Sequence, residues 1–288
     1  MSMSIRSLGS FIRWRLVPVR YAGKLWRLRL RHFKVAAKPD LPVTAEIVEN
    51  GFAPGPTGTP QMVKALQNIY VPRVPAEKPA ARNSHPFINL VKPEDLTADN
   101  PLVQLAFSPE VLDVAMDYFG GNVLLDSLQI LNSFATEEDA LKESQKWHLD
   151  YGDSRSLHCV MYLNDVMEPE DGPFVFIDKK DTKRLGRSLI IRRIEDTQFS
   201  KEVGGGQVRE LYGEAGTSVL VDPAVCYHYG SRCKKARLAV FITFNTDAPF
   251  VKAIPIVRNN AEKLLAAGKK LRPDLDDGRL DRLLGLGA

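Results

Sequence analysis

Residues 216–244, "GTSVLVDPAVCYHYGSRCKKARLAVFITF", read as two apolar runs on either side of a polar corner. The first run stops at Asp222-Pro223, where proline has no amide hydrogen to give to a ladder. A short segment then presents His228, and Arg237 opens the second run. Apolar runs bounded by turn formers are strand signals. The pattern recurs upstream in "NVLLDSLQILNSF" (122–134), "SLHCVMYLND" (156–165), "GPFVFI" (172–177) and "GQVRELY" (206–212). Short strands in succession, without a helix between each pair, point to an antiparallel sandwich or jelly roll rather than a parallel sheet. The expected fold is mainly β with flanking helices, a double-stranded β-helix of the cupin-like kind.

Helical and loop additions lie on either side of that core. "FAPGPTGTP" (52–60) is too rich in Pro and Gly for a helix and reads as a loop introducing a helix near 60–70. Residues 74–99 are Pro-rich and polar and read as an extended excursion. "SPEVLDVAMDYFG" (108–120) reads as a helix with Ser108 as N-cap, an apolar face from Val111 to Phe119, and Gly120 as its end. "DTKRLGRSLIIRRIEDTQF" (181–199) is a candidate helical insertion, and the tail from 258 suggests one or two small helices around "PDLDDG". The expected division is a basic leader, 1–39, and one domain, 40–288, with its jelly-roll core at about 122–246.

The chain has 288 residues, 44% of them hydrophobic and 26% charged, which suits a folded globular domain. No run reaches the roughly 18–20 apolar residues of a membrane-spanning helix. Cys159, Cys226 and Cys233 are odd in number and lack zinc-type spacing, so a reducing, cytoplasmic setting is expected. The net charge of +4 is uneven: residues 1–39 hold ten Lys or Arg and no acid, and the rest hold 29 basic against 35 acidic residues. In the leader, Arg20, Lys24, Arg27, Arg31 and Lys34 share one arc of a helix, with Trp26, Leu30 and Phe33 elsewhere on it. Such a helix suits an anionic membrane surface. A helix docked on its own domain and a mitochondrial transit peptide stand as alternatives. Nothing else resembles a nucleic-acid module, and no nucleic-acid partner is expected.

The chemistry is carried by "SQKWHLDYGD" (144–153) together with the opening stretch. His148, Asp150 and His228, offered from strands, are two imidazoles and one carboxylate, the facial triad suited to non-haem Fe(II) with positions left open. Zinc would accept the same donors, but a hydrolytic zinc site has no need of Arg237. A guanidinium at the floor of a barrel calls for a carboxylate, which its planar fork fits. A diacid that chelates iron at one end and meets Arg237 at the other satisfies both demands, as 2-oxoglutarate would.

"SQKWHLD", "YLNDVMEPEDGPFVFI" and "GEAGTSVLVDPAVCYHYGS" followed by Arg237 resemble the phytanoyl-CoA dioxygenase-like family of Fe(II)/2-oxoglutarate-dependent oxygenases, over roughly residues 122–246. The resemblance implies His148, Asp150 and His228 as iron ligands and Arg237 as the partner of the distal carboxylate of 2-oxoglutarate. Ser231 is implied as an assistant, and Asn132 or Gln129 as further co-substrate contacts. It implies hydroxylation by dioxygen coupled to decarboxylation of 2-oxoglutarate to succinate, with ascorbate supportive in vitro. Asp150 argues against a halogenase, in which the carboxylate is lost. The sequence departs from the family where "DKKDTKR" (178–184) replaces a Pro-Gly-Ser-His turn. The substrate wall is therefore expected to differ, and the substrate, small-molecule or lipid- or glycan-linked, is not carried over. A non-catalytic jelly-roll binding or scaffold protein is the alternative. His158 reads as a structural or substrate-lining residue within a strand. Trp147 and Tyr151 read as wall or core, and Cys226 and Cys233 as small hydrophobes. "GGG" (204–206) has no helix after it to make a phosphate loop.

Overall fold

The computed structural model describes residues 39–79, 86–135, 141, 143–150, 152–185, 193–203, 207–249 and 251–286. The expectations for the leader up to residue 38, for residues 186–192 of the candidate insertion, for Tyr151 and for the 204–206 glycines lie outside the described residues. No helix among the described residues is long and apolar enough to cross a membrane.

The strands are β1 (Phe52–Pro54), β2 (Phe87–Asn89), β3 (Val123–Ser133), β4 (Trp147–His148), β5 (Ser156–Tyr162), β6 (Phe174–Phe176), β7 (Arg193–Ile194), β8 (Arg209–Leu211), β9 (Ser218–Val221), β10 (His228–Tyr229) and β11 (Arg237–Thr246). They form two antiparallel sheets. The larger has the order β1-β9-β5-β11-β3-β2 and the smaller β7-β4-β10-β6-β8. All six apolar runs read from the sequence are strands. β1 corrects the reading of 52–60 as loop throughout: Phe52–Pro54 pair with Val219–Val221. Pro54 is tolerated because β1 is an edge strand with one side free of ladder bonds. β2, inside the stretch read as an excursion, forms the opposite edge against β3.

Period-two alternation decides which side chains meet the cavity and which meet the helices. On the central ladder Phe241 stands beside Gln129 and Val160, one face inward. Its neighbours Val240 and Ile242 stand with Ile130, Leu128, Met161 and Cys159 on the outer face, in the main apolar core. That core is roofed by helices α1 (Pro42–Asn50), α2 (Pro60–Tyr70), α3 (Pro101–Phe107) and α4 (Val114–Tyr118). α5 (Lys179–Leu185) and α6 (Asp196–Val203) follow. The tail then adds α7 (Pro255–Arg258), α8 (Ala261–Leu271) and α9 (Asp277–Leu283), with Leu264, Leu280 and Leu283 fully or almost fully buried in the same core. α2 begins where the sequence placed it, with Thr59 Oγ accepting the Met62 amide.

The helix expected at 108–120 is less regular. It enters through a wide turn, Pro109–Asp113, before α4, and the Ser108 hydroxyl caps nothing. The backbone carbonyl of Ser108 instead takes the Val111 and Leu112 amides. Gly120 ends the helix as expected, at φ +61°. The 181–199 insertion is α5 and α6 with β7 between them. It stacks Phe199 flat on Trp147, ring centres 3.7 Å apart, in a second apolar cluster behind the small sheet.

Candidate metal centre

β4 and β10 are two residues long, yet each delivers a histidine. His148 and His228 face each other as a cross-strand pair, with ring centroids 4.2 Å apart. Alternation turns Trp147 the other way, into its stack with Phe199, so Trp147 is core and not wall. Two residues beyond His148 the chain has left the strand, and Asp150 is held by its amide, which donates to the Pro223 carbonyl at 2.9 Å. Its carboxylate Oδ1 lies 3.6 Å from His148 Nε2 and 3.9 Å from His228 Nε2. One donor atom from each of the three falls within 4.8 Å of the others.

Both rings are held in one tautomer. His148 Nδ1–H donates to the Lys146 carbonyl at 2.8 Å, and His228 Nδ1–H donates to the Cys226 carbonyl at 3.0 Å. A neutral imidazole protonated at Nδ1 has its lone pair on Nε2, the atom that faces Asp150 in each case. Burial, and secondarily His228, lowers His148 from 6.5 to about 3, so this ring is neutral at physiological pH. Backbone carbonyls that fix a tautomer, with bare nitrogens converging on a carboxylate, suit a cation better than a hydrogen-bonded turn.

The three donors open on a cavity of about 270 Å³. Arg237 lines it too, only 2% exposed. Nη1 donates to the Gly172 carbonyl and Nη2 to Ser231 Oγ at 3.4 Å, whereas Nε has no partner. Among the described residues no carboxylate pairs with this guanidinium. A buried charge without a counter-ion is costly, and an anionic ligand relieves it. Gly172 is required for this arrangement: at φ +70° a Cβ there would stand 2.5 Å from Cys233 Cβ. Ser231 takes φ +61° despite its side chain, a conformation that costs of order 1–3 kcal/mol and tends to occur where function needs it. Its hydroxyl lies 2.9 Å from Ser133 Oγ, and its carbonyl accepts Gln145 Nε2 at 2.7 Å.

The remaining residues singled out in the sequence divide by parity. Gln129 lines the cavity. Asn132 does not: it is odd against even with Gln129 on β3 and faces the helices beside Ile130, so it is removed from the co-substrate contacts. Ser133, which the sequence reading passed over, shares the inward parity and reaches Ser231. Only its place opposite Arg237 in the register singles it out, and no signal in the sequence alone carries that. None of residues 178–184 lines the cavity. Thr182 instead supports β10 from behind, its Oγ accepting the Tyr227 amide at 2.9 Å. Cys226 and Cys233 are buried free thiols, as expected.

A second set of residues holds the corner itself. Asp222, fully buried, accepts from the Ala224 amide at 2.8 Å, the Ser156 amide at 3.2 Å and Tyr118 Oη at 2.7 Å. It thereby ties the helical layer to the turn that holds both Asp150 and His228. Burial raises its carboxyl to about 6 against the pull of those donors. An acid raised by folding stabilises the protein below about pH 4, and that contribution is lost as pH rises through 6. Asp222→Asn is neutral throughout. The stability gap to wild type, measured by urea denaturation, should therefore move by about 2.5 kcal/mol in the variant's favour between pH 4 and 7.5. An unchanged gap would contradict this account of Asp222.

No protein-family model and no curated protein matches this sequence. Solved structures do. The chain is similar to the non-heme α-ketoglutarate-dependent epimerase SnoN from nogalamycin biosynthesis, at TM-score 0.51 and 15% identity, over 72% of this chain and 83% of that one. It is also similar to EctD from S. alaskensis, solved with 2-oxoglutarate and 5-hydroxyectoine, at TM-score 0.51 and 17% identity, over 77% and 84% of the two chains. At such identities the likeness establishes architecture alone: this chain shares the jelly-roll fold of both.

Proposed function

We propose that this protein is an Fe(II)/2-oxoglutarate-dependent dioxygenase that hydroxylates an organic substrate while converting 2-oxoglutarate to succinate and carbon dioxide. One observation carries the reading. A single cavity holds two tautomer-locked histidines and a carboxylate around one point, together with a buried guanidinium that has no anion of its own among the described residues. His148, Asp150 and His228 would hold the metal. Arg237 would take the distal carboxylate of 2-oxoglutarate with Ser231, and Ser133 would orient the Ser231 hydroxyl. Gln129 offers a further polar contact, and Phe174 and Phe241 exclude water. When bound, ferrous iron supplies dioxygen activation; the chain supplies binding, orientation and a dry site. The sequence likeness to the phytanoyl-CoA dioxygenase-like family supports this assignment of roles. SnoN has been solved with Fe3+, α-ketoglutarate and nogalamycin RO, and EctD with 2-oxoglutarate. By analogy a small-molecule substrate is the first to try. The basic leader is proposed to rest on an anionic membrane surface in the cytoplasm.

The test is succinate release from 2-oxoglutarate by the full chain with Fe(II) and ascorbate, with and without chelator. Chelator-sensitive succinate is expected even without substrate, as uncoupled turnover. No succinate together with no retained iron would favour the binding or scaffold reading.

A further inference from the structure

His158 lies beside the triad without joining it. It projects from β5 opposite Thr243, six positions along β11 from Arg237, so the two residues occupy opposite ends of the cavity. The Asp150 carboxylate is divided between its neighbours. Oδ1 faces the Nε2 atoms of His148 and His228, and Oδ2 lies 3.7 Å from Nε2 of His158. Phe241 lies beside it as well, its ring nearly perpendicular to the imidazole with centroids 6.4 Å apart. The His158 side chain is 14% exposed, and that surface belongs to the cavity.

We infer that His158 is a positioning residue that donates its Nε2–H to Oδ2 of Asp150 and so holds the carboxylate as a one-oxygen ligand. The inference rests on the proposed metal centre. A carboxylate with both oxygens free can clasp a cation through both and so occupy one of the three positions a facial triad leaves open. A donor on the second oxygen opposes that. It also fixes the carboxylate's rotation, as outer hydrogen-bond partners of metal ligands do. The separation needs to close by roughly 0.9 Å to reach ordinary hydrogen-bond length. Phe241 carries no oxygen or nitrogen that would compete as an acceptor.

The probe is Co(II), which binds without redox turnover and reports its coordination number by its visible absorption. Full-length wild type, His158→Leu and His158→Gln would be titrated, with circular dichroism to verify folding. The expected result is a Co(II) affinity lower by about 10–100-fold in the leucine variant, the usual cost of losing an outer partner. Its absorption should also change, whereas the glutamine variant, whose amide N–H reaches the same oxygen, keeps both affinity and spectrum. Leucine binding as tightly as wild type with the same spectrum would overturn the inference, and so would equal weakening by leucine and glutamine, which marks a packing role. If His158→Leu does not fold, His158→Gln against the shorter His158→Asn makes the same comparison. Wild type that binds no Co(II) would overturn the metal centre itself, and the inference with it.

Discussion

His148→Ala should abolish both retained iron and succinate release while leaving the protein folded. Losing an outer partner of a metal ligand costs roughly 10–100-fold in affinity, and losing a ligand costs more. The ring contact His148 makes is with the other histidine of the centre, His228, at 4.2 Å between centroids, so little apolar packing is lost with it. Its cross-strand neighbour is His228, its Nδ1–H meets a backbone carbonyl, and the apolar work of β4 is done by Trp147 on the other face. Thermal unfolding of the metal-free variant is therefore expected close to wild type, and metal should stabilise wild type but not the variant. Turnover that persists in His148→Ala would remove His148 from the ligand set.

Arg237→Met should separate affinity from stability. Truncating one partner of a buried charge pair typically costs 2–5 kcal/mol of binding, about 30-fold to several thousandfold in the dissociation constant of 2-oxoglutarate. The ligand-free protein tells the opposite story. There the guanidinium is buried with no carboxylate partner and an unpartnered Nε among the described residues, so an apolar chain of similar length removes a liability. Its Tm should be equal to or above that of wild type, and Co(II) affinity should be unchanged. Arg237→Lys should fall between the two, because an ammonium keeps the charge but loses the fork. Unchanged 2-oxoglutarate affinity in Arg237→Met would sink the co-substrate assignment. A fall in Co(II) affinity of the same size would mean that Arg237 shapes the metal centre and not the anion site.

What was legible in the sequence is what strand chemistry writes locally. Each of the long strands β3, β5 and β11 is an apolar run of seven to eleven residues between turn formers, and such runs announce themselves without their partners. The grouping of His148, Asp150 and His228, with Arg237 in the same cavity, was legible because the residue types are specific and the two segments keep a recognisable order. β4, β7 and β10 were not, since a two-residue strand has no period to detect and exists only through its neighbours. β1 was hidden for a related reason: its proline, Pro54, argues against a strand in isolation and is harmless at an edge.

Asn132 and Ser133 show the limit most clearly. Both are small polar residues at the end of β3, and composition cannot rank them. Only the register with Arg237 and Leu238 decides which faces the cavity. Asp222 and His158 belong to the same class, one reading as a strand end and the other as an ordinary strand residue until tertiary packing brings Tyr118 to the first and Asp150 to the second. The amino-acid order by itself determined the strand inventory and the chemical kind of the site. Tertiary structure decided which atoms converge, because that depends on sheet register and on which of two faces a side chain takes, and neither is a property of any short segment.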